Sequence, residues 1–356
     1  MMNIQEQINL IFIGSLQDPA KLSGIGVGNM VMNLLPYAFM IGINTALETL
    51  VSQAFGRENL LECGLFLHRA MFLIICLFVP IAVSFFWAGD VLILVGIDAM
   101  TANYAEAYLT MLLPAVLINS LGDSIDLFLI SMGFNNVVCM LQLIVIPIHL
   151  LTCWVFVSVF EFGIAGAACA NNLTAILTLG GQIVYVSRLE SIKEAWYYPT
   201  TRTFQNLWPF MKLALPGMLM LVLENLSMEI LVLLAGILHS VEMLAAQVIL
   251  VAIGQFVIMI PYGLALAAVS MVGHSLGANK PAQAQANCRL IVIASTGLCL
   301  LVSMLLGFSS NALISLFTDD VEVIQIAESS FGVFLIAFAF DWTQCCTSGL
   351  IKGAGF

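Results

Sequence analysis

Broken at its polar clusters, the chain falls into ten apolar segments, each near or above the ~20 residues with which a helix crosses a bilayer. They run Met1 to Gly14, Ser23 to Gly56, Leu60 to Trp87, Ala102 to Ser131, Asn135 to Phe160, Gly163 to Val186, Leu207 to Leu238, Met243 to Leu276, Pro281 to Phe308 and Val321 to Ile351. The first is short for a span. Several others are long enough to tilt or bend, and Pro36, Pro80, Pro114, Pro147, Pro216 and Pro261 offer kink points. One long polar connection, Ser187 to Asn206, interrupts the pattern.

Basic residues give the map a sidedness. Loops after even-numbered segments, with their flanks, hold Arg57, Arg69, Arg188, Lys193, Arg202, Lys212, Lys280, Arg289 and Lys352, whereas Lys21 alone lies on the other side. Basic loops face the cytoplasm, so the amino terminus and the polar connection are expected there. Asp90, Asp98, Glu161, Glu242, Asp319 and Asp320 fall on the opposite side.

The pattern also repeats. Gly42 to Gly56, GINTALETLVSQAFG, lies without a gap over Gly263 to Gly277, GLALAAVSMVGHSLG, at an offset of 221 residues, and the same offset matches Asp98 with Asp319. It carries the second segment onto the eighth and the fourth onto the tenth, so the repeat unit is six spans. An even number gives both halves the same orientation, an arrangement common in secondary transporters. The expected architecture is an all-α polytopic membrane protein of two parallel six-helix lobes, here about ten spans with the carboxyl-terminal pair missing and the first span clipped. The lobes are expected at residues 1–187 and 207–356, joined by a cytoplasmic linker at 188–206.

Composition narrows the function. The chain of 356 residues is 61% hydrophobic and 9% charged, far from the soluble range. A net charge of −11 offers no basic surface to nucleic acid, and acids within apolar runs suit cations or protons. Nine cysteines are scattered through apolar runs, where they read as small core side chains and not as a disulfide framework. The four histidines are too dispersed for a metal site, and the glycosylation pattern at Asn172 falls within a span. No cofactor is expected beyond an ion gradient, of protons or of sodium.

The candidate chemistry is carboxylate chemistry. In ALPGMLMLVLENLSMEILVLL, Ala214 to Leu234, Glu224 and Glu229 stand in an apolar helix with no basic residue inside the stretch. A carboxylate at membrane depth costs several kcal/mol unless protonated, paired or facing water, which marks such a residue as functional by default. The alternative is a protonated Glu bonded to a neighbouring backbone or Ser. Asp341 lies equally deep in FAFDWTQCCTSGLIKGAG, with Gln344 one turn on and Trp342 beside it, either a π face for a cation or a core side chain. In the first half, Glu48 sits in the second segment, and Asp123 and Asp126 share one face of the fourth. The last two read as a polar site or as a solvated notch at a span end. Asn44, Asn225 and Gln247 complete the candidate cavity residues. Gly56 and Gly277 read as helix C-caps, and Pro281 as the first residue of the next helix.

These stretches, with GNMVMNLLPYAFMIGINTALETLVSQAFGREN, CGLFLHRA and IPYGLALAAVSMVGHSLGANKPAQA, resemble the multidrug and toxic compound extrusion (MATE) family in its eukaryotic branch. The resemblance implies two six-helix lobes that rock about a pseudo-twofold axis, and export of organic cations or xenobiotics in exchange for protons. It places proton or cation coupling on Glu224 and Asp341, with Glu229 as the second glutamate of the seventh-span motif. The chain departs from the family where Asn225 and Leu226 stand in place of a Trp. Further departures are Met271, His274 and Ser275 in the eighth-span turn, and Ala252 where some animal members carry an acid.

Four readings stay open at this point: a proton-coupled antiporter, a related flippase of lipid-linked cargo, an intramembrane aspartyl protease with Asp126 and Asp341 as its dyad, and an inactive fragment. The flippase calls for basic residues in mid-span, and none is present; the protease lacks a motif around either Asp. The antiporter needs only a small organic cation or xenobiotic substrate and the lipid bilayer as partners, acts as a monomer, and is not an enzyme.

Overall fold

The computed structural model describes residues 2–14, 18–237, 241–318 and 320–355; within these, the side chains of residues 2, 3, 19, 228, 229, 231–237, 241, 242 and 244 lie outside the description. Among the described residues there is no strand, and helix follows helix along the predicted spans. Helix α1 covers Met2–Gly14, and α2, Pro19–Met32, starts on Asp18, whose carboxylate accepts from the amides of Ala20 and Lys21. A wide π turn at Asn33–Tyr37 leads into α3, Ala38–Gly56. Then come α4 (Leu60–Ser84), a 3-10 turn at Phe85–Trp87, α5 (Ala88–Leu94), α6 (Ala99–Ser131), α7 (Asn135–Cys153) with a π turn at Trp154–Val159, and α8 (Ile164–Arg188). After two short 3-10 turns the chain continues through α9 (Leu207–Ile237), α10 (Val241–Val257), α11 (Met259–Gly277), α12 (Pro281–Ile314) and α13 (Val321–Ala354).

Among the described residues nine stretches are long and apolar enough to cross a membrane. Helix α1, with 13 residues, is about 20 Å long and falls short of a span. Proline explains two of the interruptions. Its missing N–H and its ring conflict with the carbonyl four residues back, and α2 ends at Met32, four before Pro36, as α10 ends at Val257, four before Pro261. Pro80, Pro114, Pro147 and Pro216 stay inside continuous helices.

The chain forms two compact units, residues 1–51 with 60–222 and residues 52–59 with 223–356. In the N-terminal unit α6 is central and packs against α2, α4, α5 and α8. In the C-terminal unit α13 is central and packs against α10, α11 and α12, with Phe331, Phe338 and Trp342 in the core. At the offset of 221 residues α6 falls on α13, α4 on α12, and α2 with α3 on α10 with α11. The same repeat therefore supplies the central helix of each unit.

Two details of the repeat differ from the sequence reading. The left-handed residues that close α3 and α11 are Glu58 (φ 59°) and Asn279 (φ 57°), not Gly56 and Gly277. Both turns are Schellman motifs with matching hydrogen bonds: Glu58 N to Phe55 O and Asn59 N to Ala54 O, then Asn279 N to Leu276 O and Lys280 N to Ser275 O. The glycines are there for close approach, since a Cβ on Gly56 would strike His274 O and one on Gly277 would strike Gln53 O. The matched aspartates also shift by one. Asp98 caps α6 and Asp320 caps α13, each accepting from two backbone amides, while Asp319 lies outside the described residues.

The first compact unit runs on through the polar connection as far as Val222. That connection is strapped to α4: Tyr197 Oη donates to Leu61 O at 2.9 Å, Arg69 Nη2 donates to Gln205 O at 2.8 Å, and Phe204 meets Phe72 edge-on. The first turns of α9 follow it into the N-terminal unit, where Gly42 leaves room for Met218.

Candidate functional site

Acidic and amide side chains gather in two places. In the C-terminal unit, α9 carries Glu224, which is exposed, and α13 carries Asp341, which is half-buried. Glu224 lies within electrostatic range of Asp341 and Lys352. Neither carboxylate is tied by a hydrogen bond among the described residues; near Glu224, Ser227 Oγ reaches only its backbone carbonyl, at 2.7 Å. Both acids stand within largely apolar stretches of long helices. Gln344, one turn beyond Asp341, is exposed, and Gln247 on α10 and Asn225 on α9 are half-buried. Glu229 follows on α9, its side chain outside the description.

Of the two readings of Trp342, a π face for a cation or a core side chain, the structure shows the second. Trp342 is 1% exposed, packs edge-on against Phe338 at 5.7 Å, and donates from Nε1 to Ser295 Oγ at 2.9 Å. The side chain next to Asp341 in sequence points into the core because adjacent helical positions lie ~100° apart.

The second place is the N-terminal unit. Asp126, 7% exposed, accepts from Gln182 Nε2 on α8 at 2.7 Å and from Gln142 Nε2 on α7 at 2.8 Å. It is thus no solvated notch. Asp123 lines the same small cavity. Asn44 and Glu48, one turn apart on α3, are buried, and Ser124 Oγ donates to Asn44 Oδ1 at 2.8 Å.

Sequence reasoning missed much of this polar interior. A cavity of about 20 Å³ is lined by Glu6, Asn29, Tyr37, Tyr108 and Asn171. Asn33 Nδ2 donates to Glu6 Oε2 at 3.4 Å, and Asn9 Nδ2 to Tyr108 Oη at 3.5 Å. Further along, His149 Nδ1 lies 3.1 Å from Thr174 Oγ1, and Cys153 Sγ donates to Asn9 Oδ1 at 3.2 Å. Each helix contributes only one or two of these residues, so no local motif announces them. The available signal was an amide inside each of several apolar runs.

The fold and these sites define the class: a polytopic, all-helical membrane protein built from a repeated helical unit, with carboxylates and amides within its spans and no group of three or more His, Cys, Asp or Glu able to hold a metal among the described residues. The comparisons with known proteins give the family. The MatE family model matches residues 1–155 and 216–356, and the chain belongs to that family of transporters, the multidrug and toxin extrusion proteins. It is 30% identical over 354 residues to Protein DETOXIFICATION 17 of Arabidopsis thaliana, covering 98% of this chain and 73% of that protein. It is 27% identical over 349 residues to Multidrug and toxin extrusion protein 1 of Xenopus tropicalis, covering 98% of this chain and 60% of the relative. Among solved structures, the eukaryotic MATE transporter AtDTX14 superposes with a TM-score of 0.93 at 24% identity, covering 99% of this chain and 79% of that one. A Vibrio cholerae MATE transporter follows with a TM-score of 0.87 at 18% identity, covering 98% and 80%.

Proposed function

We propose that this chain exports organic cations or bulky xenobiotics across a membrane in exchange for protons, with Glu224 and Asp341 as the exchanging carboxylates and Glu229 assisting on the same helix. The observation that carries the reading is a contrast in partners. Asp126 is held by two amide donors, whereas Glu224 and Asp341 stand within electrostatic range of each other without a fixed donor. A carboxylate that must trade a proton for a cationic substrate has to be free of permanent hydrogen bonds, and none holds this pair among the described residues. The name of the frog relative describes extrusion and that of the plant relative detoxification, and a small organic substrate fits the family. The alternation of basic and acidic loops supports a cytoplasmic amino terminus and a cytoplasmic 188–206 connection, and the chain is proposed to act as a monomer.

Reconstitution in proteoliposomes tests this. Under an imposed proton gradient the chain is expected to move a fluorescent organic cation against its concentration, and Glu224→Gln and Asp341→Asn each reduce that movement to the level of empty vesicles. Transport left intact by both substitutions overturns the assignment. Transport driven by a sodium gradient and indifferent to pH overturns the proton.

A further inference from the structure

We propose that the polar connection and the first turns of α9 form a binding site for an anionic phospholipid, whose phosphate meets Arg202 and Lys212 where exposed aromatic side chains mark the membrane face. The site is independent of the ion exchange proposed for Glu224 and Asp341.

The charge there is local and uncompensated. From Ala195 to Val222 the chain has no Asp or Glu, while Arg202 and Lys212 are both exposed. Arg69 joins them from α4. Its Nη2 donates to Arg202 O at 3.3 Å and to Gln205 O at 2.8 Å, which fixes the backbone that carries Arg202, and Tyr197 lies within electrostatic range of both guanidinium groups. Glu62, seven residues back on α4, is within electrostatic range of Arg69. No salt bridge joins Arg69, Arg202 or Lys212 to a carboxylate among the described residues, whereas Lys193 is spent on Glu190 at 3.3 Å. A free arginine fork matches the oxygens of a phosphate.

Depth and neighbours select a lipid over a soluble anion. The apolar stretch Leu60–Leu94 has 35 residues, ~52 Å as a helix against a hydrocarbon core of ~30 Å, so its ends reach beyond the core. Arg69, nine residues from the start, stands ~14 Å along it, at headgroup level. On α9, Trp208 and Lys212 open a row that continues through Leu215 and Leu219, all four exposed and spaced three or four residues apart on one face. Phe204, also exposed, meets Phe72 of α4 edge-on. Aromatic rings above an apolar row are the pattern of a membrane interface, and a lysine there extends its ammonium toward the headgroups. A soluble anion would use the charges and leave the row bare; a phospholipid uses both, with its phosphate on the bases and an acyl chain along Leu215 and Leu219.

Quenching of Trp208 fluorescence tests the site. The full chain is placed in nanodiscs of phosphatidylcholine with a minor fraction of acyl-brominated lipid, either phosphatidylglycerol or phosphatidylcholine, and the Trp208 signal is read as the difference from Trp208→Phe. Brominated phosphatidylglycerol is expected to be enriched beside Trp208 by ~10-fold or more, and less so as salt is raised. Arg202→Gln and Lys212→Gln each lower the enrichment by ~5-fold, and Lys193→Gln leaves it unchanged. Both altered residues are exposed, so each variant is expected to elute as the native chain does. Equal quenching by the two lipids, or enrichment that survives Arg202→Gln and Lys212→Gln, would overturn the proposal. So would enrichment erased by millimolar inorganic phosphate at matched ionic strength, which would give the patch to a soluble anion.

Discussion

Four carboxylates in apolar helices are separated by their partners. Asp126 is pinned between two amides on neighbouring helices, Asp123 shares its cavity, and Glu224 and Asp341 stand within electrostatic range of each other with no fixed donor among the described residues. The first arrangement holds a side chain in place; on the proposed function, the last leaves a charge free to be exchanged. Glu224→Gln and Asp341→Asn are therefore expected to spare folding, measured as an unchanged monodisperse elution in detergent, while removing gradient-driven transport. Asp126→Asn is expected to lower stability, because it replaces one of two acceptor oxygens with an NH2 that meets an amide already donating; loss of a buried charge-assisted hydrogen bond costs about 1.5–3 kcal/mol. The deep acids were legible in the sequence because a carboxylate inside an apolar run has no ordinary explanation. The partners of Asp126 were not. Gln142 and Gln182 lie 16 and 56 residues away, on separate helices, and only packing brings them together. Trp342 shows the reverse case, since its neighbour Asp341 suggested a binding role and its rotation around the helix gave it to the core.

Helix ends carry the next set of tests. The Schellman turns after α3 and α11 put Glu58 and Asn279, 221 residues apart, in the left-handed region. A β-branched residue cannot adopt that conformation without strain. Glu58→Val and Asn279→Val are each expected to cost about 1–2 kcal/mol, and the same positions changed to Gly to be tolerated, read from thermal unfolding in detergent. Gly277 answers to a different constraint. Backbone at Gln53 lies against it, so Gly277→Leu forces the end of α11 off residues 52–56, with the ~1–3 kcal/mol cost of overpacking. Equal stability of Gly277→Leu and the native chain would remove the close approach as the reason for this glycine. The helices themselves were legible to within a few residues, because a bilayer admits few ways to satisfy a backbone. Their interruptions were less so: Pro36 and Pro261 break the helix, and Pro114 and Pro216, read in the same way, do not.

At the scale of the whole chain, the repeat is the most informative feature. One offset relates the helix boundaries, the central helices α6 and α13, and the hydrogen bonds of two turns. The two halves differ in chemistry, with an acid fixed by amides in the N-terminal unit, and with Glu224 and Asp341 in the C-terminal one held by no hydrogen bond among the described residues. Orientation is a separate claim. An epitope inserted after Tyr198, which is 91% exposed, is expected to be reached by antibody only in permeabilised cells; labelling of intact cells would invert the topology.

The central claim is that Glu224 and Asp341 trade a proton for a cationic substrate. The most direct measurement is proton release on adding tetraphenylphosphonium to the purified chain in weakly buffered detergent. The account predicts that binding acidifies the solution in the native chain and that Glu224→Gln and Asp341→Asn each remove the proton signal. Substrate binding with no proton released, or release that survives both substitutions, would contradict it.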